Sequence, residues 1–382
     1  MSGANEIAGN LRRLREAKGL SQESMAEAAG LSRAGYRNLE AGDSEPRAAT
    51  VMALARALDT TLADLLRASP PLPPARFRSA KRLKEREQFL VRVARELEAY
   101  AQLEEVVPDQ TARFDPNAYD PGAGTPIERA SRAAAKVREA FGLNDWEPVH
   151  DICGLLEGNG IKVLRLPIAT EGFFGLSVID RPWGPAVAVN VWDRITVERW
   201  IFTAAHELGH LVLHHDDFDS SCSDEVPENE KEADLFAACF LMPKQAFLDE
   251  WEQASGLPLF DRVLKVKRVF RVSYRTVLHR LGELGHPNVW PRFVAQAQRQ
   301  TGRRLLRTDE PAPMDAAEFQ AGVGAAPARR EPDQLSGSDF VVDRRQRLVR
   351  KAFQGELISI GRAAEILGLS LVEMRQLAAA WG

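Results

Sequence analysis

The sequence predicts a multidomain, mainly α chain with an α/β (α+β) middle domain. Three observations carry that expectation. Apolar residues recur at helical spacing near both ends, three short apolar runs separated by Gly, Pro and Asn interrupt the middle, and proline-rich breaks divide these regions. At 382 residues the chain exceeds one small module, and about 150 residues per domain suggests roughly two or three. Hydrophobic residues make up 45% and charged residues 27%, enough apolar content to bury real cores. With 50 Lys+Arg against 54 Asp+Glu, the formal charge of −4 excludes a broadly basic nucleic-acid wrapper and an acidic disordered chain. A local basic face remains compatible with it.

The first region, 1–70, reads as five short helices around Leu11, Leu14, Met25, Ala26, Ala29, Leu31, Tyr36, Leu39, Val51, Leu54, Ala55, Leu58 and Leu62. Ser21 begins Ser21-Gln22-Glu23-Ser24, an N-cap with a polar first turn. Ala29-Gly30-Leu31-Ser32 makes a tight turn before a helix from about Ser32 to Glu40, which Gly42 ends. This is helix-turn-helix spacing. Gly-Leu-Ser-Gln-Glu, Gly-Leu-Ser and Leu-Glu-Ala-Gly, spread over about residues 6 to 66, resemble the XRE (Cro-repressor type) family. The resemblance implies binding to double-stranded DNA, with Gln22, Ser32, Arg33 and Arg37 facing the bases and Arg47 a phosphate. Arginine pairs bidentately with guanine, and glutamine with adenine. Gly35 inside the recognition helix is expected to weaken it by about 0.5–1 kcal/mol relative to alanine.

Ser69-Pro70-Pro71-Leu72-Pro73-Pro74 opens a segment, 71–126, expected to be linker plus a long amphipathic helix over 77–106, a packing or homodimer element. From 127 to 285 the pattern is mixed. Helices are expected around Glu128–Phe141 and Glu147–Glu157, then strands at Ile161–Leu166, Phe173–Ile179 and Ala186–Val191. Helices from about Val197 to His214 and Asn229 to Leu241 follow, with short helices over 257–285. Residues 286–338 are expected to be a flexible linker and 339–382 a small helical module.

The chemistry concentrates in His206-Glu207-Leu208-Gly209-His210. On a helix, positions i and i+4 share a face, so His206 and His210 are candidate ligands of one metal ion. Glu207 is the candidate catalytic base: it takes a proton from the attacking water, whose pKa the ion lowers, and returns it to a leaving amine. A third histidine spaced as in metzincins is missing, which excludes that class. The third ligand is Glu230 or Glu232. These lie about 200° apart around their helix, and Glu230 is preferred because Asp234, one turn on, would then reach the free ring nitrogen of a ligand histidine. Cys222, in the loop between the two helices, is a candidate inhibitory occupant of the open coordination position. His214 and His215 read as exposed helix-end residues, where imidazolium is favoured.

Residues about 127 to 285 resemble the ImmA/IrrE metallopeptidases. The similarity runs through Gly160–Val163, Val189-Asn190, Arg199–His214, Glu230–Ala237 and Phe240-Leu241-Met242-Pro243. It implies a zincin-like fold and a gluzincin-like site holding one Zn2+ (or another divalent ion such as Mn2+) through two histidines, one glutamate and a water. It further implies cytoplasmic cleavage of a repressor protein controlling stress, phage-defence or mobile-element genes. Asp234 departs from the family, which has Asn there. The alternative function is a non-proteolytic XRE-type regulator or antitoxin that uses the peptidase-like domain as a sensor. Three cysteines, Cys153, Cys222 and Cys239, are too few for a disulfide framework and fit a reducing cytoplasm. With no apolar signal core and no long apolar run, no membrane association is expected.

Overall fold

The structure, a computed structural model, describes residues 3–17, 20–58, 60, 62–66, 75–79, 86–107, 114–170, 172–179, 184–217, 226–286, 288–306, 309–314 and 344–381. The chain divides into two units, Met1–Leu72 with Lys84–Arg95, and Pro73–Leu83 with Glu96–Gly382. It is mainly α, with a small sheet in the second unit.

The first unit holds helices α1 (Gly3–Ala17), α2 (Gln22–Ala28), α3 (Arg33–Ala41), α4 (Ala48–Ala57) and α5 (Leu62–Leu66). Its core is the expected apolar set with one exchange: Leu11, Met25, Tyr36, Leu54 and Leu58 are fully buried, as is Leu65, whereas Leu62, also expected inside, is exposed because α5 turns Leu65 inward instead. Ser21 caps α2 by accepting from the Ser24 amide at 3.0 Å, and Ser32 caps α3 by accepting from the Gly35 amide at 3.1 Å. A Cβ on Gly35 would sit 3.0 Å from that Ser32 hydroxyl, so the missing methyl that weakens the helix also leaves room for its cap. One buried charge joins the helices. Glu40 receives Nε and Nη2 of Arg15, both at 2.8 Å, and Nε2 of Gln22 at 3.0 Å. Burial works to raise the Glu40 carboxyl, but these bonds and the charge of Arg15 hold it below its ordinary range.

In the second unit, strands β1 (Ala75–Ser79), β2 (Lys162–Leu166), β3 (Phe173–Val178) and β4 (Ala186–Asn190) form a sheet of order β1-β3-β4-β2. β3 is antiparallel to β1 and β4, while β2 and β4 are parallel. β2 to β4 fall within a residue of the expected strands. β1 does not: it lies where linker and helix were expected. Ala75-Arg76-Phe77-Arg78-Ser79 alternates with period two, and helix α6 begins only at Arg86, running to Val106. A knot of hydrogen bonds steadies the loop leading into β3. Buried Asn190 donates through Nδ2 to the carbonyls of Ile168 (3.0 Å), Thr170 (3.3 Å) and Phe173 (3.0 Å), and accepts at Oδ1 from the amides of Ile168 and Trp192.

Helices α7 (Pro126–Ala140), α8 (Ile152–Gly158), α9 (Val197–Leu213) and α10 (Pro227–Leu241) pack with the sheet around one core that includes Val137, Val187, Leu208, Leu211, Phe236 and Phe240. The helix expected from Glu147 starts five residues later. Pro148 disfavours helical backbone in the residue before it, and Asp151 caps α8 by accepting from the Gly154 amide at 2.9 Å. α9 and α10 approach closely because Gly209 faces α10. A Cβ there would meet Phe236 Cδ1 at 3.0 Å and Ala233 Cα at 3.3 Å.

After α11 (Lys244–Gln253), α12 (Leu259–Phe270) and α13 (Tyr274–Glu283), the expected flexible linker over 286–338 is corrected in its first part. Val289–Thr301 forms α14, whose Val289, Phe293 and Ala297 recur every four residues and are buried. Phe293 stacks on Phe260 and Tyr274 at 5.3 and 5.1 Å. Residues 309–314 are also held: fully buried Lys267 pairs with Glu198 at 2.6 Å and Glu310 at 3.0 Å. Residues 315–343 lie outside the described ones. The last three helices, α15 (Arg344–Gln354), α16 (Ile360–Leu367) and α17 (Leu371–Ala380), share a core with Tyr100, Leu103 and Val107 at the end of α6. No described helix is long and apolar enough to cross a membrane.

Candidate functional site

α9 is apolar nearly all round, from Trp200-Ile201 through Leu211-Val212-Leu213, as expected of a helix enclosed on all sides. Polar side chains inside such an element need partners, since an unmade hydrogen bond there is costly. His206, Glu207 and His210 are all buried to within 1% of full burial.

The partners converge. Glu230, on the first turn of α10, bridges the two histidines: its Oε2 lies 3.2 Å from His206 Nε2 and its Oε1 3.0 Å from His210 Nε2. The two Nε2 atoms are 3.1 Å apart, and one ligand atom from each of the three residues falls within 4.8 Å of the others. Two imidazole nitrogens and a carboxylate that converge in this way could hold a metal ion. Burial works to raise the Glu230 carboxyl, but the two imidazoles hold it well below its ordinary range. Glu232 faces elsewhere. It accepts from Arg129 Nε at 2.7 Å and contacts His214 Nε2 at 3.1 Å.

The far side of each imidazole is also engaged. His206 Nδ1 meets Asp234 Oδ1 at 2.8 Å, and His210 Nδ1 meets His214 Nδ1 at 3.0 Å. A ligand imidazole presents an unprotonated Nε2, so its Nδ1–H donates. With both histidines as ligands, His206 would donate to Asp234 and His210 to His214, whose own Nε2–H would donate to Glu232. His214 is thus corrected from an exposed helix-end residue to a buried one, 5% exposed, because α10 covers the end of α9. The spacing 206, 210, 214 is one helical stripe and was the available signal. His215 is half-buried on the turn that follows.

Glu207 points to the sheet. Its Oε2 accepts from the Ser177 hydroxyl at 2.8 Å. The neighbouring Gly175 makes this approach feasible: a Cβ there would meet Thr203 Cγ2 at 2.5 Å and Glu207 Oε1 at 3.0 Å. Sequence reasoning missed Ser177, for which two small residues at alternate positions of an apolar strand were the only sign. Cys222 lies outside the described residues. Cys153 and Cys239 are buried thiols, and burial pushes that of Cys239 up.

In the first unit, Arg33 and Arg37 project from α3 into solvent, one turn apart, and Arg47 is exposed at the start of α4. Arg33 has only a loose ion pair with Glu23 at 3.7 Å. Gln22 and Ser32 already serve the fold, Gln22 through Glu40 and Ser32 as a cap.

Residues 156–282 match the peptidase family described as IrrE N-terminal-like domain, and residues 11–65 match the helix-turn-helix family. The chain therefore joins a helix-turn-helix segment to an IrrE/ImmA-like one. No curated protein matches it.

Proposed function

We propose that this protein is a cytoplasmic zinc-dependent endopeptidase joined to a sequence-specific DNA-binding domain, and that it cleaves a transcriptional repressor of stress, phage-defence or mobile-element genes. The convergence of His206, His210 and Glu230 beside Glu207 supports the catalytic half most directly. Those three residues would hold the ion, Zn2+ by preference and Mn2+ as the other candidate. When bound, the ion supplies Lewis-acid polarisation of the scissile carbonyl and acidifies the attacking water.

The remaining steps belong to the protein. Glu207 takes the proton from water at Oε1 and passes it to the leaving amine. Ser177 holds Oε2 and so fixes the carboxylate plane. Asp234 and His214 orient the two ligand imidazoles. Exposed Arg33 and Arg37 would read base edges in the major groove, and Arg47 a phosphate, bringing the enzyme to the promoter its target occupies.

Metal content and cleavage of a co-encoded repressor, measured for wild type and Glu207→Gln, test the reading. The variant should keep the metal and lose about 10²–10⁴-fold in rate. Equal rates for the two proteins, or no cleavage by the metal-loaded wild type, would overturn it in favour of a sensor.

A further inference from the structure

We infer that strand β1 is an internal competitor for the edge of the sheet on which a peptide substrate docks. The inference rests on the peptidase reading above. β1 ends the sheet next to β3, so without it β3 would be the edge strand. β3 is also the strand over the candidate base: Ser177 holds Glu207, and the space at Gly175 is bounded by Glu207 Oε1. The backbone register pairs Arg76 with Ser177 and Arg78 with Gly175. The linker strand therefore runs antiparallel beside the two β3 residues nearest the reacting carboxylate.

Extended peptides add to exposed sheet edges through main-chain hydrogen bonds that do not depend on sequence. A substrate segment presented to this site as an extended strand along β3 would need the same amides and carbonyls that β1 now uses, so only one can be bound. The resident strand ends irregularly: its register shifts between Arg78 and Ser79, and a run of prolines precedes it in the sequence. It lies outside both family-matched segments, 11–65 and 156–282. The substrate class is accordingly an unfolded or extended protein segment, admitted when β1 leaves.

The test uses the full chain in the Glu207→Gln background, so that nothing is cleaved, and a fluorescent peptide of residues 73–81 as probe. Ladder hydrogen bonds alternate along a strand, so Arg76→Pro with Phe77→Pro removes at least one of them whichever residue faces β3. Anisotropy should report about tenfold tighter peptide binding to that variant than to the unsubstituted linker, because the competent state is more populated. Phe77→Gly, which keeps its N–H and only lowers strand preference, should give a smaller gain and decides the matter if the proline variant does not fold. Equal binding across these chains overturns the inference. With Glu207 restored, repressor cleavage should rise in the same order. Tighter peptide binding without any cleavage would uphold the docking edge and sink the peptidase reading, whereas cleavage unaffected by the linker, with binding equal, would do the reverse.

Discussion

Helices α3 and α9 each carry a pair of cationic or potentially cationic side chains one turn apart, Arg33 with Arg37 and His206 with His210, and their surroundings are opposite. Arg33 has 71% of its side chain exposed and His206 has 1%. Guanidinium groups that stay solvated keep their charge available for a polyanion, and lose little when it is absent. Imidazoles that are enclosed, each with its Nδ1 already engaged, are left with Nε2 to offer a cation. The same i, i+4 spacing therefore suits the proposed reader or the proposed ligand pair according to what covers it.

The comparison breaks most completely at Glu230. Glu230→Ala should abolish both metal retention and hydrolysis, assayed by metal analysis and repressor cleavage, while DNA binding by α3 persists. Next in size, Asp234→Ala should weaken metal affinity about 10–100-fold by releasing His206, and Asp234→Asn should restore most of it because the amide oxygen still accepts. On the other helix, Arg37→Ala should cost about 1–3 kcal/mol of specific DNA binding by footprinting, with no change in melting temperature, since the side chain supports nothing in the fold.

The smallest expected effect is on pH. Glu40 is held below its ordinary 4.5 in the folded chain, so the stability it adds is present above that value and is lost as the pH falls beneath it. Amide exchange in α1 and α3, corrected for its intrinsic pH dependence, should accelerate in that acidic range. Glu40→Gln should remove the dependence.

Legibility followed the reach of each constraint. His206, Glu207 and His210 could be read because one helical turn contains them. Glu230 could be preferred over Glu232 only indirectly, through Asp234 one turn on, since the choice turns on which way α10 faces α9. Ser177 depends on a strand-to-helix contact thirty residues away in sequence and left no local trace. β1 was hidden because five alternating residues after a proline run look like the start of the apolar pattern that α6 continues. α14 was lost to its polar composition, although Val289, Phe293 and Ala297 mark a buried stripe.

Asn190 shows how much can depend on one nitrogen. Its two arms differ chemically, and the loop entering β3 is written around that difference: carbonyls on the donor side, amides on the acceptor side. Hydrolysis of this amide, water supplying an oxygen as ammonia leaves, would set that oxygen against three others and loosen the approach to the strand that carries Ser177. The set of the strand that carries Ser177 thereby leans on the chemistry of a single carboxamide.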